Sequence, residues 1–393
     1  MKKLSWILLL LLVLPFPAIA QAEEKTPTVE ATAAILMDAE TGRILWGKNA
    51  HKPLAMASTT KIMTAILALE SGRMDETVTV SKKAAAAPKV KMHLSPGEKI
   101  RLGDLMLALM LESSNDAAIA IAEHLSGTVE AFCNEMTEKA QELGAKNTIF
   151  ETPNGLDAGN HHSTAYDLAV ITRYALTVSG FIELTNTAHA SFKSDKRGYS
   201  MNNKNRLLNE FSGANGVKTG FTNKAGHCFV GAAKRDDMQL ISVVLASGWG
   251  PKGREQKWRD TKEVLSYGFG NYGYETIIIA NTQAGEMPIT RSRSQQVSFA
   301  YSDGIKIPLT PQEKESIAVE LYTPESMQAP IAIGETMGTA RVYIGENFYA
   351  EIPLVSTQEA ARHDFKTSAE KILNAYFSQM TNKPIDIVLP EAS

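Results

Sequence analysis

Apolar residues recur at strand spacing near both ends of the first 270 residues and at helical spacing between those ends. Residues 33–49 have the pattern of a β-hairpin, and two further strand-like runs flank a turn at 236–238. Between them the pattern is helical over 58–72 and mostly helical over 103–187. We therefore predict a sheet built from both ends of this segment, with helices inserted between them and a last helix over 253–270.

The pattern changes after about Tyr274. Apolar and polar residues alternate over 295–302 and 316–323, and residues 339–355 have the pattern of a hairpin around a Gly-containing turn. These signals predict a small all-β domain of roughly 80 to 90 residues. A final amphipathic helix is expected over about 359–380.

The first residues have the features of a secretory signal peptide. Lys2 and Lys3 form a basic start, an apolar run follows from residue 4 to about 13, and small residues precede Ala20 and Ala22. We expect cleavage after one of these alanines and export to the cell envelope. The alternative is an uncleaved anchor, which is less favoured because the run is shorter than the ~20 apolar residues that span a bilayer.

These patterns divide the chain into four parts. Residues 1–22 are the expected signal peptide, 23–274 a domain of strands and helices, 275–357 a β-rich domain, and 358–393 a tail helix with a C-terminal extension. Within the helical block, Ser163 is the expected N-cap of a helix that ends near residue 176.

Composition excludes several classes of function. The chain has 393 residues, 44% hydrophobic and 21% charged, with a net charge of -3. This balance is typical of a globular protein and argues against a nucleic-acid binder, which normally shows a basic face. Neither GxxxxGK[ST] nor GxGxxG occurs, so nucleotide binding has no support, and we expect no cofactor.

The cysteines and histidines do not form a recognisable metal motif. No CxxC or HExxH occurs, and the neighbouring His161 and His162 would point in different directions on any regular element. Cys133 and Cys228 permit a disulfide in an exported protein, but we interpret them as two buried free thiols.

Ser58 and Lys61 stand three residues apart at the start of a predicted helix, which puts them on one face. A serine hydroxyl is a poor nucleophile until a base takes its proton. Lysine can act as that base when burial or a second cation lowers its pKa. The same spacing occurs at Ser368 and Lys371 in the tail, where we interpret it as a solvated helix face.

A second candidate motif is Ser113-Ser114-Asn115, which falls between two helical stretches. The Ser113 hydroxyl can relay a proton to a leaving amine, and the Asn115 amide can hold the substrate backbone and the lysine. Taken alone, these residues fit an ordinary polar helix connection, and Ser200 and Asn202 repeat the spacing elsewhere.

The third candidate motif is Lys218-Thr219-Gly220, in a run of strand character. Lysine and threonine can bind a substrate carboxylate, and glycine lets the substrate backbone approach the strand edge. Lys218 would also be the second cation that lowers the pKa of Lys61, if the strand lies against the helix. The alternative interpretation is a plain exposed strand.

In the order S-x-x-K, S-x-N, K-T-G, these motifs occur together in class A β-lactamases and penicillin-binding proteins. With "ESSNDAAIAIAEHLSG", "NGLDAGNHHSTAYDLA" and "NGVKTGFTNKAGHCFVGAAKRD", the chain resembles the low-molecular-mass penicillin-binding proteins, D-alanyl-D-alanine carboxypeptidases of the peptidase S11 family. The resemblance extends over nearly the whole chain.

The resemblance implies a fold of α/β (α+β) class: a penicillin-recognising transpeptidase/β-lactamase-like domain, with an antiparallel sheet and a helical block, followed by a small all-β domain. It implies removal of the terminal D-alanine from peptidoglycan stem peptides through a serine acyl-enzyme, and covalent inhibition by β-lactam antibiotics. A tail helix that makes peripheral contact with the outer face of the cytoplasmic membrane is also implied.

The resemblance assigns catalytic roles to Ser58, Lys61 and Ser113, and substrate binding to Asn115, Lys218, Thr219, Gly220, Phe221 and Arg254. Ser58 is the nucleophile and Lys61 its general base. The backbone N–H groups of Ser58 and Phe221 form the oxyanion hole, and Arg254 helps to hold the terminal carboxylate. The chain departs from the family pattern at Ser114, often glycine, and at Phe221, often tyrosine or histidine.

Two other functions compete with this interpretation. A class A β-lactamase needs a glutamate in an E-x-x-L-N context, and neither Glu151 nor Glu183 has that context. A non-catalytic wall-binding scaffold would have no need for both lysines of the motifs.

The tail offers an apolar stripe on its predicted helix, formed by Phe365, Ala369, Ile372, Leu373, Tyr376, Phe377 and Met380. The stripe either packs on the β domain or lies flat on a membrane surface. Basic residues are sparse there, so apolar burial would have to supply most of the membrane affinity.

Overall fold

The computed structural model describes residues 26–363 and 365–381. The expected signal peptide, its cleavage sites and the C-terminal extension after residue 381 lie outside the described residues. The α-helices are α1 Lys61–Glu70, α2 Lys82–Ala85, α3 Leu102–Leu107, α4 Asn115–Ser126, α5 Val129–Glu142, α6 Ala165–Ala175, α7 Phe181–Asn186, α8 Leu207–Glu210, α9 Gly250–Asn271, α10 Pro311–Glu315 and α11 Phe365–Thr381. A 3₁₀-helix spans Ala57–Thr60 and a π-helix spans Ala108–Glu112.

The strands are β1 Ala33–Asp38, β2 Ile44–Lys48, β3 Thr77–Thr79, β4 Lys99–Arg101, β5 His189–Lys193, β6 Gly198–Asn202, β7 Ala214–Thr222, β8 Gly226–Arg235, β9 Met238–Leu245, β10 Gly273–Ile278, β11 Gln283–Thr290, β12 Gln296–Tyr301, β13 Ile305–Leu309, β14 Ile317–Tyr322, β15 Met327–Gln328, β16 Thr336–Ile344 and β17 Asn347–Ser356.

The main sheet is antiparallel and has the order β2-β1-β9-β8-β7. Strands from both ends of the catalytic segment therefore meet in its centre, as the sequence pattern predicted. Strand β7 lies at one edge, where its outer side has no neighbouring strand within this sheet. That edge carries the K-T-G motif.

The two faces of this sheet bury different partners. Ile35, Val230 and Ile241 belong to the core shared with the helical block, whereas Phe229 and Trp258 belong to a second core under α9. The alternation follows from the strand period, because successive side chains point to opposite faces.

One predicted helix boundary is wrong by a residue. Thr164, and not Ser163, caps α6, since the Thr164 hydroxyl accepts a hydrogen bond from Asp167 N. Ser163 instead joins the backbone of Leu54 in an isolated bridge. The hairpin of β5 and β6 also went unpredicted, because its alternation is short and mostly polar.

The β-rich part has its own core. A six-stranded sheet has the order β14-β16-β17-β12-β11-β15, and β10 pairs with β13. Phe299, Val342 and Leu354 are among its buried residues. The predicted hairpin over 339–355 is present as β16 and β17.

The tail helix α11 begins at Phe365, later than the predicted start near 359. The chain before it is held to the β-rich part, because Ala360 pairs with Ile331 and Arg362 with Ser292. Among the described residues, none of the helices combines the length and apolar character that a membrane crossing requires.

Candidate active site

Ser58 lies in the short 3₁₀-helix that precedes α1, between two close-packed glycines. Ala57 has a φ of 50°, in the left-handed region that a side chain disfavours. A Cβ at Gly155 would lie 2.0 Å from Ala57 O, and a Cβ at Gly220 would lie 3.0 Å from Ser58 N. Gly155 must therefore be glycine for the serine to take this place, and a side chain at Gly220 would be a tight contact that pushes the neighbouring backbone away by a few tenths of an ångström.

Gly220 was expected to make room for the substrate backbone. In the structure its bare side instead faces the protein itself, where Met56, Ala57 and Ser58 pack against it. Glycine in the third motif thus allows the serine segment to pack closely against the edge of the sheet.

Lys61 is fully buried and contacts three oxygen atoms. Its Nζ lies 2.9 Å from Ser58 Oγ, 2.8 Å from Asn115 Oδ1 and 2.6 Å from the carbonyl oxygen of Asn154. A neutral lysine amine has two N–H donors and one lone pair. Two carbonyl oxygens can take the donors, which leaves the lone pair for the Ser58 hydroxyl.

The surroundings favour that neutral form. Burial is the main cause that lowers the pKa of Lys61 well below its ordinary value, and the positive charge of Lys218 lowers it further. The Asp116 carboxylate acts in the opposite direction. The structure thus brings the second cation close enough to act on the base, as the sequence suggested.

The middle motif contacts both the lysine and a neighbouring loop. Asn115 Nδ2 donates to Pro88 O at 3.2 Å and Asn115 N donates to Val90 O at 2.8 Å. The next residue, Asp116, accepts from the backbone of Met92 and Leu94, both at 3.0 Å. The loop over 88–94 is therefore fixed to the start of α4.

Ser113 occupies a left-handed position, φ 69°, where the π-helix ends. Its side chain is half-buried, and no hydrogen bond to its hydroxyl is found within the described ranges 26–363 and 365–381. This leaves the hydroxyl available for a substrate, two residues before the amide that holds Lys61.

Lys218 is only 2% exposed, which excludes the plain exposed strand as its setting. Its Nζ donates to Thr219 O at 3.1 Å. Burial lowers the pKa of Lys218 to about 7, and the positive charge of Lys257 contributes to that shift. Thr219 is half-buried beside it on β7.

Phe221 and Arg254 lie near the same edge. Phe221 is 45% exposed and its ring packs on His227, with ring centroids 4.4 Å apart. Arg254 is exposed on the first turns of α9, and its charge contributes to lowering the pKa values of His227 and Lys257. No ion pair of Arg254 is found in the described part of the chain, so its guanidinium can receive an anion.

Several residues of the site were missed by the sequence reasoning. Asn154 contributes a backbone carbonyl, which has no sequence signature. The Thr60 hydroxyl is hydrogen-bonded to the carbonyl oxygen of Ala57, just before Ser58, and His161 is hydrogen-bonded to Thr60. The positive charge of Lys257 helps to lower the pKa of Lys218. Only the glycine of the Asn154-Gly155 pair could have served as a signal, because Gly155 has a positive φ of 83°.

The second S-x-x-K and S-x-N pairs lie away from this site, and the two cysteines are free thiols. Ser368 Oγ lies 3.0 Å from His363 Nδ1 at the start of the tail helix, and Ser200 and Asn202 lie on β6. Cys133 and Cys228 are unpaired and buried, as predicted, and burial raises their thiol pKa values to about 12 and about 11. The described residues contain no cluster of three or more metal-ligating side chains.

The assembled groups can support nucleophilic acyl transfer. A serine hydroxyl faces a buried lysine of lowered pKa, and cationic and hydroxyl groups at the adjacent strand edge can receive a carboxylate. Such a site suits an acyl substrate that ends in a free carboxylate.

Comparison with known proteins gives two family matches. Residues 20–248 match the family D-alanyl-D-alanine carboxypeptidase, peptidase S11, and residues 272–362 match the C-terminal domain of penicillin-binding protein 5. Together the two matches extend from before the main sheet to the start of the tail.

Individual relatives agree with these matches. The chain is 31% identical to the D-alanyl-D-alanine carboxypeptidase DacF of Bacillus subtilis, over 88% of this chain and 89% of that protein. It is 30% identical to DacC of Escherichia coli, over 91% and 90% of the two chains. The crystal structure of penicillin binding protein 5 from Haemophilus influenzae superposes with a TM-score of 0.73 at 28% identity, covering 86% of this chain and 99% of that one.

Proposed function

The chain belongs to the D-alanyl-D-alanine carboxypeptidase family of serine peptidases, peptidase S11, and we propose that its reaction proceeds through an acyl-enzyme on Ser58. The protein is a D-Ala-D-Ala carboxypeptidase with the penicillin-binding protein fold, and peptidoglycan stem peptides and β-lactams are its ligands. Acylation, stabilisation of the oxyanion and binding of the terminal carboxylate use different chemical groups of the site.

In the acylation step, Ser58 Oγ attacks the carbonyl carbon of the penultimate D-alanine while Lys61 takes the hydroxyl proton. The C–N bond to the terminal D-alanine then breaks, and that amine leaves with a proton relayed through Ser113. The observation that carries the proposal is the buried Lys61 amine, which lies 2.9 Å from Ser58 Oγ and is held by Asn115 Oδ1 and the carbonyl oxygen of Asn154. Water then hydrolyses the ester and releases the shortened peptide.

Charge develops on the carbonyl oxygen during this attack. We assign the oxyanion hole to the backbone N–H groups of Ser58 and Phe221. Gly220 supports the assignment, because its lack of a side chain allows the strand to pack directly on Ser58 N. Both donors then belong to segments that contact each other.

The terminal carboxylate of the substrate binds at the edge of β7. Lys218 and Thr219 are the proposed contacts there, with Arg254 contributing from the first turns of α9. Asn115 holds the substrate backbone while its amide oxygen keeps Lys61 in place. Among the described residues, Lys218 is a buried ammonium without a carboxylate partner, so the free-energy cost of removing its charge from water has already been met on folding. The binding of an anionic substrate group is therefore especially favourable there.

D-alanine release from a pentapeptide that ends in D-Ala–D-Ala tests the activity and mechanism together. We expect release by the purified protein and its loss after preincubation with penicillin. A β-lactam resembles the acyl-D-Ala–D-Ala backbone, so the same serine opens both. Release that continues unchanged in excess penicillin would contradict the shared acyl-enzyme. Rapid turnover of the penicillin itself would favour the β-lactamase alternative.

The substrate places the protein in the cell envelope, and we further propose that the protein is exported through its N-terminal signal. The basic start, apolar run and small residues before Ala20 and Ala22 support this assignment. N-terminal sequencing of the exported protein should begin after one of these alanines. A chain that still starts at Met1 would support the uncleaved anchor.

The tail helix provides a means of peripheral attachment to the outer face of the cytoplasmic membrane. Phe365, Ile372 and Met380 on its apolar stripe are 89%, 70% and 66% exposed, whereas the packing alternative needs them covered by the β domain. A helix that exposes such a stripe gains free energy by lying in a lipid interface.

A further inference from the structure

A buried chain of hydrogen bonds leads from His161 to the peptide bond before Ser58. Thr60 Oγ1 lies 2.9 Å from His161 Nε2 and 2.8 Å from Ala57 O. All of these groups are buried, and Thr60 is 0% exposed. No step of the proposed acyl-transfer reaction uses Thr60 or His161.

The direction of each hydrogen bond follows from the donors. Glu151 N donates to His161 Nδ1 at 3.0 Å, so Nδ1 must carry the lone pair and Nε2 the proton. His161 therefore donates to Thr60 Oγ1, and the Thr60 hydroxyl donates to Ala57 O. Burial lowers the pKa of His161 to about 4, which keeps the ring in this neutral form near neutral pH.

Ala57 O and Ser58 N belong to the same peptide group. A hydrogen bond to the carbonyl oxygen of a peptide polarises it, and chains of hydrogen bonds strengthen one another in a low dielectric. The N–H on the other side of the Ala57–Ser58 peptide then becomes a stronger donor. That N–H is the proposed oxyanion-hole donor of Ser58.

We propose that Thr60 and His161 are positioning residues that orient and polarise the Ala57–Ser58 peptide for oxyanion binding. The inference rests on the proposed function. It gives Thr60 and His161 a role in catalysis that the S-x-x-K motif by itself does not assign to them. It also explains why the peptide holds its orientation despite the φ of 50° at Ala57. The residues packed on either side of that peptide are Gly155 and Gly220, which have no side chains with which to hold it.

The chain provides a matched control one residue away. Thr59 is also 0% exposed, and its hydroxyl donates to Met56 O at 2.7 Å. That bond serves the preceding peptide, Met56–Ala57, whose N–H has no assigned role. Thr59→Val and Thr60→Val therefore remove the same type of buried hydrogen bond, but only the second acts on the Ser58 N–H.

The test compares the two variants by kinetics and by vibrational spectroscopy. Thr60→Val should lower kcat for D-alanine release about tenfold with little change in KM, a fraction of the ~10²–10³ lost when a whole oxyanion donor is removed. The acyl carbonyl band of its penicillin adduct should move to higher frequency, because the oxyanion hole then holds the carbonyl less strongly. Thr59→Val should show a similar decrease in Tm with neither effect.

Two more variants separate positioning from simple loss of structure. Thr60→Ser keeps the hydroxyl and should restore kcat and the band position. His161→Phe should give a smaller loss that does not multiply with that of Thr60→Val, because both interrupt one chain.

Equal kcat and equal band positions in Thr59→Val and Thr60→Val would overturn the inference. The inference would also be overturned if the kcat losses of Thr60→Val and His161→Phe multiply when both substitutions are combined. If Thr60→Val does not fold, kcat and the band position are compared between His161→Phe and Thr60→Ser instead. Failure of the proposed function looks different: Ser58→Ala would then still be acylated by penicillin, whatever Thr60 does.

Discussion

Lys61 Nζ lies 2.8 Å from Oδ1 of Asn115, so the middle motif holds the general base in place. The same asparagine is bonded through its backbone and side chain to Val90 and Pro88. The base, the S-x-N motif and the 88–94 loop therefore form one connected structure. A substitution in any of these three parts should change the reactivity of Ser58, whereas a substitution in the tail helix should not.

Ser58→Ala should abolish covalent labelling by penicillin and leave the fold intact, because only the hydroxyl is removed. Ser368→Ala is the matched control, since Ser368 and Lys371 have the same sequence spacing but lie on the tail helix. It should label like the unaltered protein. Gel fluorography with a fluorescent penicillin measures both, and labelling that survives Ser58→Ala but disappears in Ser368→Ala would reverse the assignment.

Lys218→Gln should reduce the rate of acylation by about 100-fold or more, because a buried charge-assisted contact to the substrate carboxylate is lost. Its Tm at pH 7 should stay the same or rise. The folded-state pKa of Lys218 is about 7, and the unfolded value is near ~10.4. Between these values the unfolded chain binds more protons, so burial of Lys218 costs stability at pH 7, and this cost declines as the pH rises.

Stopped-flow acylation and calorimetry on the same Lys218→Gln preparation measure the two effects. A large decrease in Tm, in proportion to the loss of acylation, would show that the lysine serves the sheet.

The alkaline limb of kcat/KM should follow the charge on Lys218. In the free enzyme the limb should start near pH 7, because deprotonated Lys218 binds the substrate carboxylate weakly. The Lys257 charge helps to lower the Lys218 pKa, so Lys257→Gln should move the limb to higher pH. Lys257→Arg retains the charge and should leave the limb in place. Profiles of D-alanine release from about pH 6 to about pH 10 measure this, and an unmoved limb in Lys257→Gln would contradict the coupling.

A chain that ends at His363 should leave the membrane fraction and still release D-alanine from peptide. His363 is the appropriate end point, because residues 360–363 are bonded to the β-rich part and removing them would confound the test. Replacing Phe365 and Ile372 by serine in the full chain is the matched control for loss of apolar contact alone. If the intact mature protein does not bind vesicles of anionic phospholipid, the tail helix is not an anchor.

Much of the fold could be predicted from local pattern. The hairpins β1–β2, β8–β9 and β16–β17 each have alternating residues around a short turn, and α9 has apolar residues at helical spacing. The expectation that both ends of the segment build one sheet is confirmed, and the structure shows that β1 and β9 are the strands that pair there. The predicted cap at Ser163 is wrong, since the neighbouring Thr164 has the same type of hydroxyl side chain and the tertiary pairing of Ser163 with Leu54 leaves the cap to Thr164.

The sequence by itself determined which chemical groups are present and in what order: Ser58 with Lys61 on one helical turn, Asn115 after a helix end, and Lys218 on a strand. Spacing within a turn or strand is a local property, so it can be deduced from neighbours in the chain. Only the tertiary structure decided that Lys218 is buried, that Asn154 offers its carbonyl to Lys61, and that Gly155 and Gly220 enclose Ser58. Those relationships depend on desolvation and on close contact between segments that are distant in the chain, such as Ser58 and Asn154, which are 96 residues apart. Neither is encoded in local residue spacing.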